Sequence, residues 1–152
     1  MVYHDNGKIK IQEWYKNGTM YRDDDEIAFI EYRNDGMMKC CKYIKNNILM
    51  KEQYFEEDNI KHTCIFYYES GKIKQQEWYK EGIRHRDNEP ASIVYYENGT
   101  IKIRAWYKEG KCHNDNNCAA EEFYENGNIK ARGWFKEGIR HRDNEPASIV
   151  YY

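Results

Sequence analysis

No stretch of this sequence approaches the roughly 18 consecutive apolar residues of a membrane-spanning helix. None has the charged-then-apolar order of a secretory leader either, so the expected setting is intracellular and not secreted. A basic excess is missing as well. The 24 Lys and Arg stand against 26 Asp and Glu, interleaved and not in blocks, for a net charge of −2. That leaves no basic stripe, and nucleic acid is not an expected partner. The cysteines lack a pattern: Cys40, Cys41, Cys64, Cys112 and Cys118 are odd in number and follow no fixed interval. Disulfides of a regular framework would recur, so free thiols in a reducing compartment are expected.

What is present is repetition. Residues 80–96 read KEGIRHRDNEPASIVYY, and residues 136–152 repeat them letter for letter, 56 positions on. Half that interval separates Trp78, Trp106 and Trp134, which are each 28 apart. An internal repeat of this length reads as an array of supersecondary units. Units start near residues 1, 30, 65, 93, 121 and 149, within a single array over 1–152. The segment 30–64 is irregular: Gly36 to Gly71 spans 35 residues, and Tyr43, Asn47, Tyr54 and a turn at Asp58-Asn59 suggest an extra short hairpin with the long return loop missing. Met1 falls where Ile93 and Ile149 fall, so the chain starts within a strand. It stops in one at Tyr152, as a piece of a longer array or with its last strand as a cap.

The period inside each unit is that of strands. Thr100 to Lys108 reads TIKIRAWYK, apolar and polar in alternation, with turns at both ends. Opening turns are set by Gly7, Gly36, Gly71, Gly99 and Gly127, and second turns by Gly18, Asn47, Gly82, Gly110 and Gly138. Asn-Gly between alternating apolar residues is a hairpin signal. Asn17-Gly18-Thr19 and Asn98-Gly99-Thr100, which match the glycosylation pattern, are read as such turns. Mean hydropathy is −1.09, polar enough to suggest disorder. Against that, 16% of residues are aromatic, which suits a thin sheet whose faces are each partly wet.

The fold expected is an all-β, elongated, single-layer antiparallel meander of tandem hairpins, about 28 residues per unit and about twelve strands, roughly 50 Å long at about 4.8 Å per strand. A three-residue loop with Gly99 left-handed would place Tyr95 directly opposite Ile101. One face would then carry Ile93, Tyr95, Ile101, Ile103 and Tyr107, and the other Trp106 among Lys102, Arg104 and Lys108.

The unit Tyr-x-Asn-Gly-x-Ile-Lys-x-x-x-Trp-Tyr-Lys-x-Gly, seen at residues 96–110, resembles the MORN repeats, particularly their variant class. Two features depart from that pattern: the His-Arg-Asp-Asn-Glu-Pro insertion, and the absence of the later Gly-x-Gly. The resemblance implies successive antiparallel hairpins in one layer. Such repeats occur in scaffolds, in junctional and lipid-associated proteins, in antitoxin-like bacterial proteins and in expanded sets of large DNA viruses of amoebae. The long unit looks most like those viral sets, which would place the chain in a host or source cytoplasm or in a virion. The resemblance speaks for architecture more than for one activity.

Catalytic signals fail on inspection. His85-Arg86-Asp87 and His141-Arg142-Asp143 match the kinase catalytic tripeptide, but no Gly-rich phosphate loop or Asp-Phe-Gly accompanies them, and the motif repeats. A structured loop is expected, with Asp87 or Asn88 bonding nearby amides before Pro90. In the first unit Tyr21-Arg22-Asp23 replaces the motif, which suits a packing role. Cys112, His113 and Cys118 lack a fourth ligand or a Cys-x-x-Cys pair. The acidic runs at 23–26 and 114–117 lack the glycine and distal Glu of a calcium loop. No catalytic residue, cofactor or metal is therefore expected.

The candidate interaction face is Trp14, Tyr43, Trp78, Trp106 and Trp134, either a cross-strand ring ladder or an aromatic row that docks a partner. The function expected is a non-enzymatic repeat scaffold or protein–protein interaction module, as a structural component of a viral particle or at its host interface. Self-association through the sheet edges would be permitted. Two alternatives stay open: an antitoxin-like inhibitor of a toxin protein, and a peripheral membrane-associated protein, membrane binding being the less expected.

Overall fold

The computed structural model describes residues 1–21, 26–57 and 61–152. The turn placed at Asp58-Asn59, Arg22 and Asp23 of the Tyr21-Arg22-Asp23 segment, and Asp23 to Asp25 of the first acidic run lie outside the described residues. Among those described there is no helix, and the chain forms two compact units, residues 1–72 and 73–152.

The first unit contains β1 (Val2–Tyr3), β2 (Ile9–Glu13), β3 (Tyr15–Lys16), β4 (Thr19–Met20), β5 (Phe29–Tyr32), β6 (Met38–Lys45), β7 (Ile48–Phe55) and β8 (Lys61–Tyr67). Six of these make an antiparallel meander in the order β1-β2-β5-β6-β7-β8, and β3 pairs with β4 as a separate ribbon. The irregular segment is a full-length hairpin and not a short one. β6 and β7 are eight residues each, joined by Asn46 and Asn47 at φ 50° and 65°. Both dihedrals suit a two-residue type I′ turn, which Asn tolerates.

The second unit contains β9 (Ile73–Lys80), β10 (Ile83–Arg84), β11 (Ser92–Tyr95), β12 (Ile101–Ala105), β13 (Tyr107–Lys108), β14 (Lys111–Cys112), β15 (Ala120–Phe123), β16 (Ile129–Gly133), β17 (Phe135–Lys136), β18 (Ile139–Arg140) and β19 (Ser148–Val150). The meander runs β9-β11-β12-β15-β16-β19. β10 pairs with β9, while β13-β14 and β17-β18 are separate ribbons.

The opening turns share one geometry. At Tyr96-Glu97-Asn98-Gly99-Thr100, the Tyr96 N–H donates to the Thr100 carbonyl at 2.8 Å and the Gly99 N–H to the Tyr96 carbonyl at 2.9 Å. Gly99 sits at φ 90°, and the Asn98 side-chain oxygen accepts the Thr100 N–H at 2.9 Å. This is the three-residue loop, with Tyr95 directly opposite Ile101. The ribbons instead turn on two left-handed residues, for example Glu109 at φ 50° and Gly110 at φ 76°.

The faces differ from the expected ones. The bulge inserts one residue between Tyr95↔Ile101 and Val94↔Ile103, so Ile93 lies opposite Arg104. Directly paired residues share a face. Ile93 therefore shares the face of Arg104, and Val94 that of Ile103. Both faces become mixed, because a one-residue slip exchanges faces.

One row crosses the second unit as Gln76, Ile93, Arg104, Glu121, Arg132 and Ile149, each opposite the next. The row on the other face is Glu77, Ser92, Ala105, Ala120, Gly133 and Ser148. Its small residues admit a neighbour closely. The Phe135 ring lies over Gly133, 2.7 Å from where a Cβ would stand. The core is accordingly built of small side chains, with Ala28, Ala91 and Ala119 fully buried and Cys41 nearly so.

Candidate interaction face

Trp14, Trp106 and Trp134 each link the sheet to a ribbon, and Trp78 holds the same place within β9. The Trp78 N–H donates to the Ala91 carbonyl at 3.0 Å, Trp106 to Ala119 at 2.9 Å, Trp134 to Ala147 at 2.9 Å, and Trp14 to Ala28 at 3.1 Å. Each Trp carbonyl in turn accepts an N–H seven residues on: Tyr21, His85, His113 and His141 at 3.0 to 3.1 Å. The backbone on either side of the ring thus serves two partners. In three of the four copies the strand ends there, and the ribbon leaves the sheet.

All four Trp rings are half-buried, as is Tyr43. Tyr43 has a different setting. It lies within the unbroken β6, opposite Lys51, whose ammonium stands 4.8 Å from its ring centre.

In the second unit an arginine lies on each Trp ring: Arg86 at 4.1 Å from Trp78, Arg142 at 3.9 Å from Trp134, and Arg104 at 5.5 Å from Trp106. Such contacts contribute about 0.5–1 kcal/mol at exposed sites and more when desolvated. They hold rings and guanidiniums in fixed positions beside the loops at 85–90, 113–118 and 141–146.

Those loops are ordered by repeated His–Asp pairs. His85 Nε2 meets Asp87 at 2.9 Å, His113 meets Asp115 at 2.9 Å and His141 meets Asp143 at 3.1 Å. Arg86 pairs with Glu89 and Arg142 with Glu145. Asp87 takes the imidazole, and Asn88 adopts the left-handed φ of 57°. In the middle copy it is Asn114 that accepts the Asn116 and Asn117 amides, at 3.1 and 3.2 Å.

Cys112 donates to the Ala119 carbonyl at 3.6 Å, and Cys118 is buried. No group of three or more His, Cys, Asp or Glu is arranged for a metal ion among the described residues.

Open clefts lie between successive loops. One of about 200 Å³ is bounded by His85, Trp106 and His113. A second of about 540 Å³ lies between Trp106 and Trp134. A third of about 570 Å³ extends from Asn114 to Arg142. The second has Arg104, Glu121 and Arg132 as its floor. Glu121 is 5% exposed, and both its oxygens accept arginine Nε–H groups: one from Arg104, the other from Arg132 at 3.0 Å. Burial alone would raise the Glu121 carboxyl, but the two arginines outweigh it and hold the group below the usual carboxylate range. Sequence reasoning passed over this triad. Its signal was Glu121 standing where Ile93 and Ile149 stand in the neighbouring copies.

Two other buried carboxylates are clamped in the same manner. Glu77 accepts from Gln75 at 2.9 Å, Tyr79 at 2.6 Å and Arg84. Glu52 accepts from Tyr67 at 2.5 Å and pairs with Lys42 at 2.8 Å. These clamps neutralise charges that burial would otherwise penalise.

Antiparallel hairpins copied at a fixed interval, with clefts between the copies, define a tandem hairpin-repeat protein. The family described as the MORN repeat variant matches residues 1–17, 63–81 and 119–137 of the chain. Repeats of this family are non-catalytic modules that engage proteins or membranes. No curated relative matches the chain.

Proposed function

We propose that the chain is a non-enzymatic interaction module that binds a protein partner through the loop-and-tryptophan face of its second unit. One observation carries the reading: Trp78, Trp106 and Trp134 recur every 28 residues, each held by a guanidinium and each beside a loop. Rings and arginines fixed before contact lose little freedom on binding, and Trp and Arg are the residues on which interface energy concentrates. A regular row also suits an extended partner, which can meet one cleft after another. The clefts are open to solvent and follow one another along the loops, which supports recognition of an extended chain.

The test is affinity capture of the folded chain from its native source, beside a variant carrying Trp78→Ala, Trp106→Ala and Trp134→Ala. Circular dichroism of both chains checks that the variant is folded. Stoichiometric partners lost with the folded variant would support the face assignment. Partners retained by it would overturn that assignment.

A further inference from the structure

The cleft between Trp106 and Trp134 departs from the repeat at several positions together. Its floor is the charged part of a row that is uncharged elsewhere. In the first unit the corresponding row reads Gln12, Ile30, Cys41, Gln53 and Cys64, each opposite the next. In the second, Gln76 and Ile93 precede Arg104, Glu121 and Arg132. The loop above the floor changes as well. The Arg86–Glu89 and Arg142–Glu145 pairs of its neighbours are replaced here by Asn114 and Asn117. A cation and an anion leave the rim, while two cations and one anion enter the floor.

The charges on the floor do not cancel. Two guanidiniums meet one carboxylate, and no other charged side chain lines the cleft among the described residues. Each arginine gives its Nε–H to Glu121. The Nη groups of Arg104 have no hydrogen-bond partner among the described residues, and the Arg104 and Arg132 side chains are 39% and 36% exposed. Glu121 therefore acts as a positioning residue for the Arg104 guanidinium, which lines the cleft 5.5 Å from the Trp106 ring centre and 5.2 Å from that of Phe123. A guanidinium edge is a planar double donor that matches a carboxylate. At the rim, Asn88, Asn116 and Asn117 are exposed and present amides able to bond an extended backbone.

We propose that this cleft is a binding site for an acidic protein segment, with an Asp or Glu carboxylate of the partner on the Arg104 guanidinium and the flanking residues between Trp106 and Trp134. The proposal rests on the interaction reading above and names the chemistry of its partner. A single excess positive charge fits one carboxylate. A nucleic acid backbone would call for a run of cations, and the chain, with net charge −2, has none.

The test uses the whole chain and two capped Gly-Ser peptides, one with four Glu and one with four Gln, titrated at about 0.15 M salt while the indole N–H resonances are followed. The expected result is binding of the Glu peptide at least about tenfold tighter than the Gln peptide, the scale of one charge-assisted hydrogen bond, with Trp106 and Trp134 perturbed. Removing one arginine alone would strand Glu121, so the variant is Arg104→Gln, Glu121→Ile and Arg132→Gln together. That change rebuilds the Gln-and-Ile floor that Gln76 and Ile93 already form, and the preference should vanish in it. Equal binding of the two peptides, or a preference that survives the triple change, would overturn the proposal. So would tighter binding of an oligothymidylate. Equal binding that still perturbs the Trp106 and Trp134 indoles would remove the acidic assignment while leaving the interaction reading in place. Loss of that reading would show instead as partner capture unaffected by the Trp changes.

Discussion

The backbone N–H of Glu137 donates to His113 Nδ1 at 3.1 Å. That bond leaves the proton of the neutral ring on Nε2, facing Asp115 Oδ1 at 2.9 Å. It ties the loop of one repeat to the ribbon turn of the next. His113 is 8% exposed, against 22% and 49% for the His85 and His141 side chains. His113→Ala is predicted to cost about 1–3 kcal/mol, from an unpaired amide and a lost buried ring. His85→Ala should cost under about 1 kcal/mol. Urea midpoints of the two variants check the order, and the opposite order would refute the tie.

Acid stability should track the buried carboxylates. Burial acts to raise Glu52 and Glu121, yet their cationic partners and, at Glu52, the Tyr67 hydroxyl hold both below the ordinary range. A carboxyl lowered in the folded state contributes stability that is present above its unfolded pKa of about 4.3 and lost as pH falls through the folded value. The share of stability that rests on these two carboxyls is thus predicted to be flat from pH 7 to about 5 and to fall below about 4.3, whereas His62, lowered by burial, withdraws stability already as pH falls below about 6.5. Glu121→Gln should be less stable at pH 7 and show a shallower acid limb. An unchanged limb in urea titrations at several pH values would count against the clamp. Glu121→Ile should cost less than Glu121→Ala, because Ile93 and Ile149 already occupy the same position in the row.

Thiol reactivity should be low in the native chain. Burial pushes the Cys40 and Cys118 thiols up to about 11, with the Glu31 and Glu121 carboxylates adding to the shift. Burial raises Cys41 and Cys112 also. The thiolate is the reactive form. At pH 8, Ellman's reagent should release little colour from folded protein and about five equivalents after denaturation. The half-buried Cys112 should react before the four buried cysteines. Rapid native reaction at Cys40 or Cys118 would contradict the burial.

Two glycines in equivalent ribbon turns should respond unequally to alanine. Gly18 and Gly110 both sit at φ 76°, where an L side chain costs about 1–2 kcal/mol. Nothing lies within 4 Å of a Cβ at Gly18, whereas one at Gly110 would come 2.8 Å from Ile83 Cγ2. Gly110 also donates its N–H to the Arg84 carbonyl at 3.2 Å. Gly110→Ala should therefore lower the melting temperature by several degrees more than Gly18→Ala. Equal shifts would mean that the ribbons of the second unit do not stack in solution.

Much of the hairpin geometry was legible in the sequence. Asn98-Gly99 marked the hairpin, and the Tyr95 and Ile101 positions, apolar or aromatic in every unit, implied a shared face and hence the three-residue loop. Comparison between copies, more than the turn residues alone, made that loop readable. The faces were not legible, because the bulge beside Tyr95 moves Ile93 across from Arg104, and a bulge leaves no composition signal. Nor was the break at Trp106. TIKIRAWYK reads as one strand, and nothing in it marks the break, since the equivalent run through Trp78 makes the same backbone bonds within a continuous β9. The charged floor lay between these cases. Comparing Glu121 with Ile93 and Ile149 exposes the substitution, but its arginine partners emerge only with the register.

Site-specific photo-crosslinking in the native source distinguishes the loop-and-tryptophan face from the opening turns. A photoreactive residue is placed either at Asn116, on the loop rim beside Trp106, or at Glu125, in the opening turn between β15 and β16, both of them exposed. A discrete adduct is expected from position 116 that weakens when Trp106 and Trp134 are both changed to Ala, and none from position 125. An adduct from position 125 with none from position 116 would contradict the face assignment, and would move the binding surface to the turns at the other end of the strands.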